Sequence, residues 1–259
     1  MKRAIHGIIA LSLLLALPVS LLLALPVGAR AQTMKLGDVL IFHVPDLNPE
    51  SDVKAFEAQV VNVVAAAAKK KVPGADVTLV RKDRGNHRGQ YLLVCTGDSA
   101  ACRQSRPELT PFVTTAGRDI EYRLVAPEKA GALPDVEVLG IHYVKVRPDR
   151  LEAFDRFVAE KLHSAVGNLR PDLRLLYYKP VRGDEPGNYL TVFALTKASR
   201  DKYWPKGSDS ADVKAAFGPS VTALTSELSS YLVEGSYATG TLAAAVFESK
   251  EWADWVVIR

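Results

Sequence analysis

The feature that most constrains the fold is an internal duplication. LIFHV (40–44) and LGIHYV (139–144) are short apolar segments, each with one histidine, and His43 and His142 lie 99 residues apart. The segments downstream of them match step by step. Asn48-Pro49 leads into VKAFEAQV (53–60), and Arg147-Pro148 leads into LEAFDRFV (151–158). Each proline suits a first helical turn, and Val53, Phe56, Val60 and Leu151, Phe154, Val158 have helical spacing. ADVTLVRK (75–82) parallels PDLRLLYYK (171–179), and YLLVC (91–95) parallels YLTVF (189–193). These segments are rich in β-formers and are joined by polar, glycine-bearing turns, which predicts hairpins. PFVTTAGRDIEYRLV (111–125) aligns with PSVTALTSELSSYLV (219–233), and both are read as the second helix of their unit. The order is strand, helix, strand, strand, helix, twice. Each unit leaves one sheet face that needs cover.

WADWVVIR (252–259) predicts a last strand for the second unit. The first unit shows no counterpart, because only a proline-rich stretch (126–135) separates its predicted second helix from the next strand. This order resembles the ferredoxin-like βαββαβ unit. Two in tandem resemble the dimeric α/β-barrel superfamily, which includes antibiotic-biosynthesis-monooxygenase-like, stress-responsive-barrel and chlorite-dismutase-like proteins. The fold class is therefore α+β, with two ferredoxin-like βαββα(β) repeats, 38–130 and 135–259, forming a fused dimeric α/β barrel. The resemblance implies helices on one face of each sheet and a pocket enclosed where the other faces meet.

Side chains alternate along a strand. If the more apolar face of the first strand (Leu40, Phe42, Val44) meets the helices, His43 and His142 face the space between the sheets. They are then the candidate catalytic residues, since an imidazole that titrates near ~6.5 can act as a general base. Two histidines without HxH or HExxH spacing do not make a metal site. Tyr177 and Tyr178 lie on opposite faces of one strand, and one of them meets any ligand. The second unit also carries an insert with Tyr203-Trp204-Pro205, so Trp204 is a candidate ligand contact at the pocket mouth. Arg81, Lys82, Arg84, His87 and Arg88 cluster near a hairpin tip and read as a solvated turn.

The resemblance implies two enzyme readings: a cofactor-free, monooxygenase-like enzyme with a histidine-lined pocket, or a haem protein of the chlorite-dismutase kind. A non-catalytic binding or interaction module of the cell envelope is a third. In the haem reading His163 occupies roughly the place of the iron ligand. It lies about 180° from Phe154 around the helix, on the solvent side. No cofactor is assigned from the sequence.

The N-terminus is basic (Lys2, Arg3), then apolar from Ala4 to Val27, and closes on Ala29-Arg30-Ala31. This pattern predicts a signal peptide over 1–31, removed on export to the periplasm or medium; if retained, it would anchor the chain in a membrane. Without 1–31 the formal charge of +4 falls to +1, which gives no reason to invoke nucleic acid. The expected partner is a small-molecule ligand, with a monomer and an oligomer both open. Cys95 and Cys102 are the only two cysteines, and in an exported chain that spacing predicts a disulfide. Asp98-Ser99 offers a cap for a helical turn that would carry Cys102 back to Cys95.

Overall fold

A computed structural model describes residues 34–47, 52–59, 72–84, 90–105, 113–126, 135–163, 165, 174–203, 205, 224, 227–233 and 253–258. The predicted signal segment lies outside them. In the first half the strands are β1 (Met34–Lys35), β2 (Val39–Leu47), β3 (Ala75–Arg84), β4 (Tyr91–Gly97) and β5 (Val113–Leu124), with helices α1 (Val53–Gln59) and α2 (Ser99–Gln104). The second half has β6 (Asp135–Val136), β7 (Val138–Lys145), β8 (Arg174–Arg182), β9 (Asn188–Leu195) and β10 (Ala253–Ile258). Its helices are α3 (Leu151–Phe157), which runs on as a π turn (Val158–Leu162), and α4 (Lys197–Tyr203). Among the described residues no helix is long and apolar enough to cross a membrane.

Eight antiparallel strands close into a barrel in the order β10-β3-β4-β2-β5-β8-β9-β7. Within it, the run β3-β4-β2-β5 belongs to the first half and β8-β9-β7-β10 to the second, the strand order that the ferredoxin-like reading requires. The halves join through their last strands: β5 pairs with β8, and β10 pairs with β3. β1 and β6 form a short ribbon that ties together the starts of the two halves.

β5 departs from the sequence-based expectation, which puts a helix over 111–125 and leaves the first half without a last strand. Val113–Leu124 is that strand. Ile120, Tyr122 and Leu124 are buried in the barrel's central cluster, and they alternate with Asp119, Glu121 and Arg123. This is strand periodicity, and Val113-Thr114-Thr115 adds β-branched residues. The predicted final strand of the second half is realised as β10. In the first half the six-residue α2 follows β4, in place of the longer second helix.

The barrel interior is packed. Leu40, Phe42, Val94, Ile141, Tyr178 and Val192, among others, fill it at 0 % exposure. Two further clusters lie outside the barrel wall. One surrounds Phe56 of α1 in the first half, and the other surrounds Phe154 of α3 in the second.

The helices are held to the wall by the same clamp in both halves. Phe56 meets the Tyr91 ring edge to face at 5.5 Å, and Phe154 meets Tyr189 at 4.9 Å. The next helical residue is a carboxylate that accepts from the same tyrosine: Tyr91 donates to Glu57 and Tyr189 to Asp155, both at 2.8 Å. A strand cation completes each clamp, Arg81 on Glu57 at 3.5 Å and Lys179 on Asp155 at 2.6 Å. Burial, then the carboxylate, raises the pKa of both tyrosines. The start of α1 is capped by Asp52, whose carboxylate accepts from the Lys54 and Ala55 amides at 2.9 and 3.2 Å.

The basic cluster that reads as a solvated turn divides. Arg81 points outward to its clamp. Lys82 takes the inward step shared with Val80 and is 1 % exposed, and burial pushes its ammonium down to about 8. Arg84's side chain, His87 and Arg88 lie outside the described residues.

Candidate functional site

Both candidate histidines face the helix side of the barrel wall, not the space between the sheets. His43 follows Val39 and Ile41, which pack with Phe56, whereas Leu40 and Phe42 fill the interior. His142 likewise steps opposite Ile141 and Tyr143, which are interior residues. The sequence-based expectation sends the more apolar face to the helices. In a closed barrel the interior is the driest compartment, and it takes that face instead.

The two histidines meet different surroundings. His43 is 7 % exposed, and its Nδ1 lies 2.8 Å from Asp119 Oδ1, directly across the β2–β5 pairing. A carboxylate at Nδ1 favours the tautomer with its proton on that nitrogen. His142 is half-buried and stands across from Thr191 of β9, which stands across from Tyr177 of β8. Burial lowers its pKa.

Asp119 belongs to a wider network under α2. Its other carboxylate oxygen lies 4.0 Å from Arg182 of β8. Two residues along β5, Glu121 is buried, its side chain 3 % exposed. It is met by Arg103 at 2.7 Å, Arg182 at 3.6 Å and the Ser99 hydroxyl. Such a buried carboxylate needs this many donors, because leaving it unpaired costs several kcal/mol on the order of one desolvated ion. Gly183, at φ +84°, ends β8 against β5, and a Cβ there would collide with the Asp119 carbonyl oxygen. The glycine therefore sets how closely Arg182 approaches both acids.

Cys95 and Cys102 form the expected disulfide, with Cα atoms 5.7 Å apart. The expected cap is present: the Asp98 side chain accepts from the Ala101 amide at 2.9 Å and starts α2. The bridge forms one wall of a small cleft of about 20 Å³ that opens to solvent. Ile41, Val77 and Leu93 form its apolar part, and His43, Asp119, Arg103 and Ser105 form its polar part.

Of the remaining sequence candidates, neither Tyr177 nor Tyr178 lines this cleft. Tyr177 and Tyr178 do take opposite faces. Tyr177 is buried under α3 against Phe154 at 5.7 Å, and burial pushes its phenol up to about 12. Tyr178 is buried inside the barrel and donates to the Gly37 carbonyl at 2.9 Å. Trp204 lies outside the described residues. His163, expected on the solvent side, is half-buried just after the π turn.

Asp119, Glu121, Arg103 and Arg182 are not among the residues that the sequence singles out. Reading 111–125 as a strand places both acids on the histidine face, since Asp119 and Glu121 alternate with the apolar Ile120 and Tyr122.

No protein-family model and no curated protein matches the chain. Solved structures do. A candidate monooxygenase from Lactobacillus acidophilus NCFM is 10% identical, with TM-score 0.50, covering 85% of this chain and 93% of that one. An anthrone oxidase-like protein is 11% identical, with TM-score 0.44 and coverage of 85% and 90%. A chlorite dismutase variant from Candidatus Nitrospira defluvii is 12% identical, with TM-score 0.43 and coverage of 86% and 92%. The fold is the dimeric α/β barrel, two ferredoxin-like halves in a single chain.

In the haem reading the second half would hold the group. The described part of the helix-side face there is filled by rings. Phe154 packs on Tyr177, Tyr189 and Tyr231 at 5.7, 4.9 and 6.0 Å. Among the described residues no group of three or more potential ligands is placed to hold a metal ion.

Proposed function

We propose that this is an exported α/β-barrel protein that binds a small molecule in the first-half cleft, where His43 acts as a general base. The observation that carries the reading is the 2.8 Å His43–Asp119 contact at the wall of that cleft. Asp119 keeps the proton on Nδ1 and stabilises the imidazolium that forms when Nε2 takes a proton from a ligand O–H or acidic C–H. The apolar wall of Ile41, Val77 and Leu93 favours a ligand with an apolar body and one ionisable group, bound with that group towards His43. The monooxygenase-like form of the reading adds that the deprotonated ligand then reacts with dioxygen. Its support is the fold shared with the Lactobacillus protein and a base positioned by a carboxylate. Export is supported by the signal-like N-terminus and by the disulfide, a bond of oxidising compartments.

A thermal-shift screen of phenols, enols and other weak acids tests the reading, with titration of any hit. His43→Ala should weaken binding of the hit by at least ~1 kcal/mol, about fivefold in Kd, the size of one hydrogen bond left unmade. His142→Ala should leave it unchanged. Equal affinity of His43→Ala and the native protein would remove His43 from the site. A Soret band in the purified protein would favour the haem reading instead.

A further inference from the structure

We propose that the Cys95–Cys102 bridge is a site of thiol–disulfide exchange, reached through the His43 cleft by a small thiol. Both half-cystines line that cleft, yet they are only 7 % and 4 % exposed. The cleft is thus the route by which a reagent would reach the sulfurs, and its small volume, about 20 Å³, would select for size. A charge-stabilising donor is already in place. The Ser105 hydroxyl closes α2 by donating to the Cys102 carbonyl at 2.9 Å, and it lies 3.6 Å from Cys95 Sγ. A thiolate formed on Cys95 would draw that hydroxyl as a hydrogen-bond donor, which favours Cys95 as the leaving sulfur.

In the first step an external thiolate attacks Cys102 Sγ, and the S–S bond breaks with its electron pair on Cys95 Sγ. A second thiol displaces the first from Cys102, which gives an external disulfide. The protein bridge gains two electrons, the two thiols lose them, and their two protons end on Cys95 and Cys102. Opening the bridge also releases α2, which carries Ser99 and Arg103, two of the groups that hold Glu121. The exchange needs only the open cleft and no bound ligand; a molecule held at His43 would occupy the same cleft and slow it.

The test uses the oxidised full chain under native conditions, treated with 2-mercaptoethanol or with the bulkier glutathione. Aliquots are quenched by alkylation, and the dithiol fraction is read by mass. The native chain should be reduced by 2-mercaptoethanol within about tenfold of the rate in denaturant, and glutathione should lag well behind that rate, because access governs exchange. Ser105→Ala should slow the reaction at least about threefold, and Ser105→Thr, which keeps the hydroxyl, should restore it. A native rate about a thousandfold below the unfolded rate, the same for both thiols, would mean that the bridge reacts only after unfolding, and would overturn the proposal. If Ser105→Ala fails to fold, the comparison of the two thiols and the rate of Ser105→Thr decide the matter alone. Equal rates for Ser105→Ala and the native chain would overturn the role of Cys95 as leaving sulfur.

Discussion

The first and second halves share a clamp and differ at a histidine. Phe56, Glu57, Arg81 and Tyr91 recur as Phe154, Asp155, Lys179 and Tyr189, with the same edge-to-face rings and the same 2.8 Å tyrosine–carboxylate bond. His43 and His142 occupy the same step of the same strand. One is paired with a carboxylate beside a cleft, and the other sits half-buried opposite a threonine. The clamp fastens a helix to the barrel wall in each half. The histidine step is not part of the clamp, and its surroundings differ between the halves.

The largest test of this comparison is to cut the clamp in each half. Phe154→Ala and Phe56→Ala should each destabilise the fold by about 3–5 kcal/mol in chemical denaturation, since each ring is fully buried. Values differing by more than about 2 kcal/mol would show that the two clamps are not equivalent. The next test is confined to the first half. Replacing both cysteines by alanine should lower the unfolding free energy by about 2–3 kcal/mol, the loop-closure value for so short a ring. The amide exchange it releases should appear first in α2 and the end of β4. A smaller effect is expected at the tyrosines. Tyr91→Phe and Tyr189→Phe should each cost about 1–2 kcal/mol, because each removes a hydrogen bond to a carboxylate that keeps its cation.

The smallest effect concerns His142. Burial holds its folded pKa below the unfolded value near 6.5, so below that pH the unfolded chain binds the proton more readily. The residue therefore contributes a loss of stability as pH falls through about 6.5 towards its folded pKa, and none above it. His142→Gln should flatten that part of the stability–pH profile. An unchanged slope would show that His142 stays solvated and that the two histidine sites differ less than their surroundings suggest.

Much of the scaffold is legible in the sequence, and the duplication carries it. Because the halves repeat, the strands, α1, α3 and the barrel come from matching segments. The disulfide comes from the cysteine spacing and the Asp98 cap. β5 escapes, because its residues align by type with 219–233. The alternation of Ile120, Tyr122 and Leu124 with charged residues is the better signal. The face of the histidines is misplaced because both faces of β2 are apolar enough to be buried. Alternation groups the residues of a strand, but which group lies inside depends on the sheet closing on itself. Lys82 escapes for a related reason, since a hairpin tip reads as solvated until the strand register sends every second residue inward.

The joining of the halves through β5 and β10 bears on how such a chain can evolve. In a two-chain homodimer every substitution appears twice, once on each side of the symmetry axis. Each last strand must then suit two identical neighbours, and a site gained on one side is gained on both. With both copies in one polypeptide that obligation lapses. β5 can carry Asp119 and Glu121, and α2 can shrink to a disulfide-tied turn, without a mirrored change around β10. The single chain keeps the closure of a symmetric pair while its two sides become separate evolutionary units.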